Sequence, residues 1–199
     1  MKKLKNLEIK TLFKNKTAIK LFKNFLSLSS LNVLQFLISL FTVPYLIKTI
    51  GIEKLGTINF VLSLVAYFIP FIDYGFIVQA TREVAIVRDD KQMLSLTFSK
   101  YFITKVYNLI ILSIIYFIIV FFLPLFQKEL LLYSFAYLTV IGKLMLCEWY
   151  YQGVERMEFI AILNAVSKVL YVICLILFIK SILDFHLVLL FQGINAIII

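Results

Sequence analysis

The residues Tyr101–Leu125 read YFITKVYNLIILSIIYFIIVFFLPL, with one charge in the whole run. A stretch of about 20 apolar residues is long enough to cross a bilayer. Hydrocarbon offers the backbone no hydrogen-bond partner, so a chain inside it must be a helix or a closed barrel. Strands of a barrel would be about ten residues with alternating polarity, and this run has neither feature. Similar runs recur along the chain, and they predict an all-α, polytopic transmembrane helix bundle. The composition agrees: 62% of residues are hydrophobic and 16% charged, against roughly 45–50% and about 25% in soluble domains.

The spacing of the apolar runs predicts spans over about 24–47, 58–80, 101–125, 130–150, 159–179 and 185–199, after a basic segment at 1–23. That segment holds eight lysines before the first run. Its interspersed Ile9, Leu12, Phe13, Ile19 and Phe22 suit an interfacial helix and equally a disordered basic tail. The net charge of +9 is thus a topology and lipid signal, and nucleic acid is excluded as a partner. With the N-terminus inside, fourteen Lys and Arg fall on the cytoplasmic side and four on the other, with Lys143 and Lys168 left in the membrane. That asymmetry predicts a cytoplasmic N-terminus.

Polar residues within the spans are the candidate site. Ser29, Asn32, Gln35, Ser39 and Thr42 recur at steps of three and four, lining one helix face. The face suits a hydrated cavity or a helix–helix seam; Asn and Gln are bulky for a seam, which favours the cavity. Asn59, Ser63, Tyr67 and Tyr74 favour one face of the next span, which Pro70 and Gly75 should bend. Lys168 lies about ten residues into the fifth span, roughly 15 Å deep at 1.5 Å per residue, and shares a face with Asn164 and Tyr171. A cation at that depth needs water, an acid on another helix or an anionic ligand. Exposure to a cavity, as a counter-charge for phosphate, is the favoured reading. Lys143 is shallower, and snorkelling competes with anion binding there.

The densest charge cluster is FIDYGFIVQATREVAIVRDD, Phe71–Asp90. Asp73 is expected in the membrane zone, as a structural or gating acid pairing with Lys143 or Arg82. Arg82 and Glu83 read as residues of a helix end, Asp89 or Asp90 as an N-cap, and Lys105 as a snorkelling lysine. The segment Glu148–Glu158 reads as a loop whose acids mark helix ends. His186 falls in a short external turn and reads as a surface residue. Cys147 and Cys174 read as small packing residues. No Gly-rich phosphate loop, nucleophile elbow or zinc spacing is present, so the expectation is no enzyme, no metal and no cofactor.

Three motifs occur in order: PYLIKTIG followed by Gly56, DYGFIVQATREVAIVRDD, and EWYYQGVERMEFIAILNAVSK. Together they resemble the Wzx-type O-antigen and capsule repeat-unit flippases. These belong to the multidrug/oligosaccharidyl-lipid/polysaccharide exporter superfamily, and the resemblance runs from about Ser29 onward. It implies one N-terminal lobe of about six helices from a two-lobe exporter fold, in a bacterial cytoplasmic membrane. The implied substrate is an oligosaccharide on undecaprenyl pyrophosphate, carried in a cationic cavity between the lobes. By that analogy Lys168 and Lys143 contact substrate, Arg82 more weakly, and the polar faces carrying Asn32, Gln35, Asn164 and Tyr171 contact sugars.

Alternating access needs a second bundle to rock against the first, so the chain is expected to be an incomplete half. A missing C-terminal half is the expected partner, together with polymerase or assembly proteins. A cation-coupled multidrug exporter of the same superfamily is the near alternative, with Asp73 as its one candidate acid. A glycan polymerase would carry a large external loop, which is lacking here. A non-transporting membrane scaffold is the remaining alternative.

Overall fold

The computed structural model describes the backbone of residues 16–198, and side chains at Val33 and from Phe36 to Ile198. The predicted segment 1–23 lies mostly outside the described residues, as do the side chains of Asn32 and Gln35. The described chain is helical: α1 (Lys16–Asp73), α2 (Phe76–Val87), α3 (Lys91–Phe122), α4 (Pro124–Gln127), α5 (Leu130–Met145), α6 (Glu148–Gly153), α7 (Met157–Phe178) and α8 (Phe185–Ile198). By length and apolarity, Phe36–Asp73, Lys91–Phe122, Leu130–Gly153 and Met157–Phe178 can each cross a membrane, and Ile182–Ile198 is a shorter apolar helix.

The first two predicted spans are the two arms of α1, joined at Gly51. Its φ of 83° and ψ of 161° are a conformation that a Cβ disfavours. Both arms are anchored at the same end of the bundle. Before the break, the Tyr45 hydroxyl donates to the Ile179 carbonyl at 2.7 Å. After it, Lys54 pairs with Glu129 at 3.2 Å and lies 4.2 Å from the Phe185 ring centroid. The second arm then runs antiparallel to α3. Phe60 meets Phe126, Phe68 meets Tyr116, and the Asn108 amide donates to the Ile72 carbonyl at 3.2 Å.

Helix α5 is the centre of the bundle, with Leu132, Tyr133, Ala136, Tyr137, Val140, Gly142 and Leu144 buried. Tyr116 of α3 donates from its hydroxyl to the Tyr133 carbonyl at 3.0 Å. On the other side α8 packs parallel to α5 in the most extensive helix–helix contact among the described residues. A Cβ on Gly142 would stand 2.4 Å from the Ala196 carbonyl carbon, and one on Gly193 would stand 2.4 Å from Leu138 Cβ. Small residues allow helices in lipid to gain dispersion contact where no hydrophobic force separates protein from solvent.

A second, smaller core lies at the Asp73 end. Tyr74 (φ 41°) and Gly75 (φ 73°) end the second arm earlier than the predicted Ala80 and turn the chain into α2. Helix α2 buries Ala80 and Val84 with Tyr101, Cys147 and Trp149. Gly153 makes this possible, since a Cβ there would be 2.4 Å from Val84 Cγ1. The predicted loop Glu148–Glu158 therefore contains a helix, α6, held in place by α2. Arg88 ties the unit together by donating to Glu155 at 2.5 Å, and Glu155 raises the Arg88 pKa further. Asp90 caps α3, accepting from the amides of Gln92 and Met93. Glu83 hydrogen-bonds the Gln79 amide and pairs with Lys100 at 3.2 Å. Gln79 foremost, with Tyr101 and then Lys100 after it, holds its carboxyl below the usual range.

Candidate functional site

A recess of about 420 Å³ opens among the second arm of α1, α5, α7 and α8. Leu62, Val65, Ala66 and Ile69 form one wall. The others carry its polar groups: Thr139 and Lys143 from α5, Asn164 and Lys168 from α7, Gln192 and Asn195 from α8. Its volume lies in the range of ligand sites, which are about 300–1,000 Å³ and hold a few convergent polar groups on an apolar lining. Beside it on α1, the exposed Asn59, Ser63 and Tyr67 lie one above another at four-residue steps.

The two lysines differ in state. Lys143 sits in the last turn of α5 and pairs with Glu148 at 2.7 Å, with both side chains well exposed. The pair bridges the break at Leu146–Cys147, where α5 ends and α6 begins. Lys168 is half-buried, and among the described residues no carboxylate pairs with it. Helix geometry places Asn164 one turn below on the same face. Lys168 is therefore the cation of the recess whose charge a bound group would have to meet.

Several sequence expectations are corrected by the geometry. Asp73 pairs with Lys105 at 2.6 Å, and not with Lys143 or Arg82. Lys105 does not snorkel: it is 5% exposed, packed between α1 and α3. Arg82 is exposed on α2 and does not line the recess. Tyr171 shares a helix face with Lys168 but packs against the main core and does not line the recess. His186 is half-buried at the start of α8, 3.1 Å from Glu129, where it joins Lys54 in tying three chain turns together.

Thr139, Gln192 and Asn195 were not singled out from the sequence. The signal existed for two of them. Gln192 and Asn195 are polar residues at a three-residue step inside an apolar run, the pattern that marks Asn164 and Lys168.

Taken together, the apolar spans and the polar recess define a multi-pass helical membrane protein. The chain belongs to the polysaccharide biosynthesis protein family, whose model matches residues 21–199. It is similar to the "Putative O-antigen transporter" of Escherichia coli (strain K12), at 26% identity over 168 residues, covering 84% of this chain and 40% of that protein. The chain thus spans about two fifths of the length of the curated relative it matches. No solved structure matches it.

Proposed function

We propose that the chain is the N-terminal lobe of a flippase moving undecaprenyl-pyrophosphate-linked oligosaccharide repeat units across the bacterial cytoplasmic membrane for surface polysaccharide synthesis. The observation that carries this reading is Lys168, a cation facing a polar recess with no carboxylate partner among the described residues, in a chain of the polysaccharide biosynthesis family. A phosphate recovers in contact with Lys168 the electrostatic energy that the half-buried ammonium loses by leaving water. Asn164, Gln192 and Asn195 offer amide donors and acceptors of the kind that sugar hydroxyls require. At about 420 Å³ the recess takes part of a repeat unit, and a second lobe facing Asn59, Ser63 and Tyr67 supplies the rest. The lysine and arginine asymmetry supports a cytoplasmic N-terminus, which makes the Asp73 end cytoplasmic and the Gly51 end external.

The multidrug alternative needs a membrane acid free to exchange a cation. Asp73 is the candidate acid in the notional coupling position, and Lys105 already neutralises it. The test is expression of the complete transporter in a strain lacking its own repeat-unit flippase. Restored surface polysaccharide supports the reading, and drug resistance without glycan rescue contradicts it. In that assay Lys168→Ala is expected to lower rescue by about tenfold or more, the loss of one charge-assisted contact, and Lys168→Arg is expected to be milder. Full rescue by a normally accumulating Lys168→Ala protein would remove Lys168 from the site.

Breaking the exposed pair should act in the opposite direction. Glu148→Gln leaves Lys143 without its carboxylate and adds one positive charge to the recess. Stability should change by less than about 1 kcal/mol, as for exposed pairs. Binding of inorganic pyrophosphate, measured by calorimetry, should tighten several-fold and become more salt-dependent. Unchanged affinity would mean that Lys143 does not face the bound anion.

A further inference from the structure

Two adjoining pockets of about 670 Å³ and 440 Å³ lie at the Asp73 end, and both are lined by Lys91, Leu94, Tyr150 and Tyr151. They form one groove between the start of α3, α6 and the start of α7. Its outer half carries Arg88, Arg156, Asp89 and Glu155. Arg88 is engaged by Glu155 at 2.5 Å and approached by Asp89 at 4.0 Å. Among the described residues, Lys91 and Arg156 have no carboxylate partner, so the local excess of positive charge rests on them.

The floor is aromatic and fixed. Tyr150 stands edge-on to Phe98 at 5.2 Å, and Tyr151 stacks on Phe159 at 6.4 Å. The groove's inner half is lined by Met145 and Cys147, while Leu146 between them lines the Lys168 recess. Groove and recess therefore lie on opposite sides of the same short break between α5 and α6.

We propose that this groove is a second binding site, a loading site for a glycosyl pyrophosphate on the cytoplasmic face. A pyranose ring has an aliphatic face that packs on aromatic rings and a rim of hydroxyls that needs polar partners. The Tyr150–Tyr151 shelf supplies the first, and the groove's charged outer rim supplies the second. Lys91 and Arg156 meet the pyrophosphate by charge-assisted hydrogen bonds. The same chemistry is present in a nucleotide sugar. The prenyl-linked form is assigned because the groove adjoins the recess, and in this the inference rests on the flippase reading.

The chain holds a single tryptophan, the buried Trp149, stacked on Phe98 at 5.6 Å and edge-on to Tyr150 at 6.3 Å. In the complete transporter in lipid nanodiscs, with any tryptophan outside this chain replaced by phenylalanine, its emission reports on the groove floor. Titration with a geranyl-pyrophosphoryl disaccharide should give a saturable change. Lys91→Gln and Arg156→Gln, both at exposed side chains, should each weaken it by about tenfold, whereas Lys168→Ala should leave it within about twofold. The free disaccharide should bind far more weakly.

Wild-type affinity in both charge variants, or no response to the geranyl compound, would overturn the loading site. A response lost only in Lys168→Ala would also overturn it, placing the ligand in the recess and leaving the flippase reading intact. Equal or tighter binding of UDP-N-acetylglucosamine would overturn the lipid-linked assignment. Retained groove binding without glycan rescue in the flippase-deficient strain would instead sink the flippase reading.

Discussion

Asp73→Ala is expected to destabilise the protein by about 3–5 kcal/mol, the cost of removing one partner from a buried ion pair. Lys105 is 5% exposed, and Asp73 at 2.6 Å is its carboxylate partner. Without that carboxylate the ammonium must lose its proton, drag water inward or force α1 and α3 apart, and each costs several kcal/mol. The loss should appear as a lower thermal aggregation midpoint in detergent and poorer accumulation in membranes. The double variant Asp73→Leu with Lys105→Met should recover most of it, because replacing both charges with apolar groups is often neutral or stabilising. An Asp73→Ala protein that aggregates at the wild-type temperature would mean that Lys105 is hydrated in the folded bundle.

Gly142→Leu should be at least as damaging, for a steric reason. The Cβ alone would lie 2.4 Å from the carbonyl carbon and 2.5 Å from the carbonyl oxygen of Ala196. That neighbour is main chain and cannot rotate aside as a flexible side chain can. Helix α8 would have to move off α5, losing dispersion contact along that extensive seam. Overpacking typically costs about 1–3 kcal/mol, and a backbone clash puts this case at or above the upper end. Gly56→Leu is the control, since nothing lies within 4 Å of a Cβ there. Gly142→Leu protein eluting as a monodisperse peak with wild-type heat stability would contradict the parallel α5–α8 packing. Gly56→Leu should behave as wild type in the same measurement.

These two sites mark where sequence reading succeeds and where it runs out. The helical, membrane-crossing class was legible because lipid leaves a chain so few options. The bounds were less so: α3 starts at Lys91, ten residues before the predicted 101–125 run, and α5 ends at Met145, short of the predicted 150. The two-arm form of α1 was legible at PYLIKTIG, where Gly51 supplies the break. Helix α6 was not, because EWYYQGVERM has the charges and glycine of a loop. It is helical because Trp149 and Gly153 dock on Val84 and Tyr101, far away in sequence. The Asp73–Lys105 pair was missed for a related reason. Sequence position says that an acid lies in the membrane zone, but only the antiparallel register of α1 against α3 says which base meets it.

The site was half legible. Lys168, Lys143 and Asn164 were marked by being polar in apolar helices, and the fold gathers all three at one recess. Tyr171 carried the same signal through its three-residue step from Lys168, yet tertiary packing turns it into the core. Arg82 was suggested by the family resemblance, its residue pattern alone reading as a helix end, and α2 carries it to an exposed surface. Gln192 and Asn195 show the limit from the other side, since their partners come from helices that only the folded bundle brings near.

The central claim is that this recess is a hydrated, anion-holding cavity and not a sealed polar seam. It is tested most directly by thiol accessibility at Asn164→Cys in the complete transporter, with Cys147 and Cys174 replaced by serine and Ile173→Cys as the control on the exposed apolar face of α7. A membrane-impermeant thiol reagent should label Asn164→Cys from one side of the membrane, and a prenyl-pyrophosphate-linked saccharide should slow that labelling. Asn164→Cys as unreactive as Ile173→Cys from both sides, with and without the saccharide, would contradict the account.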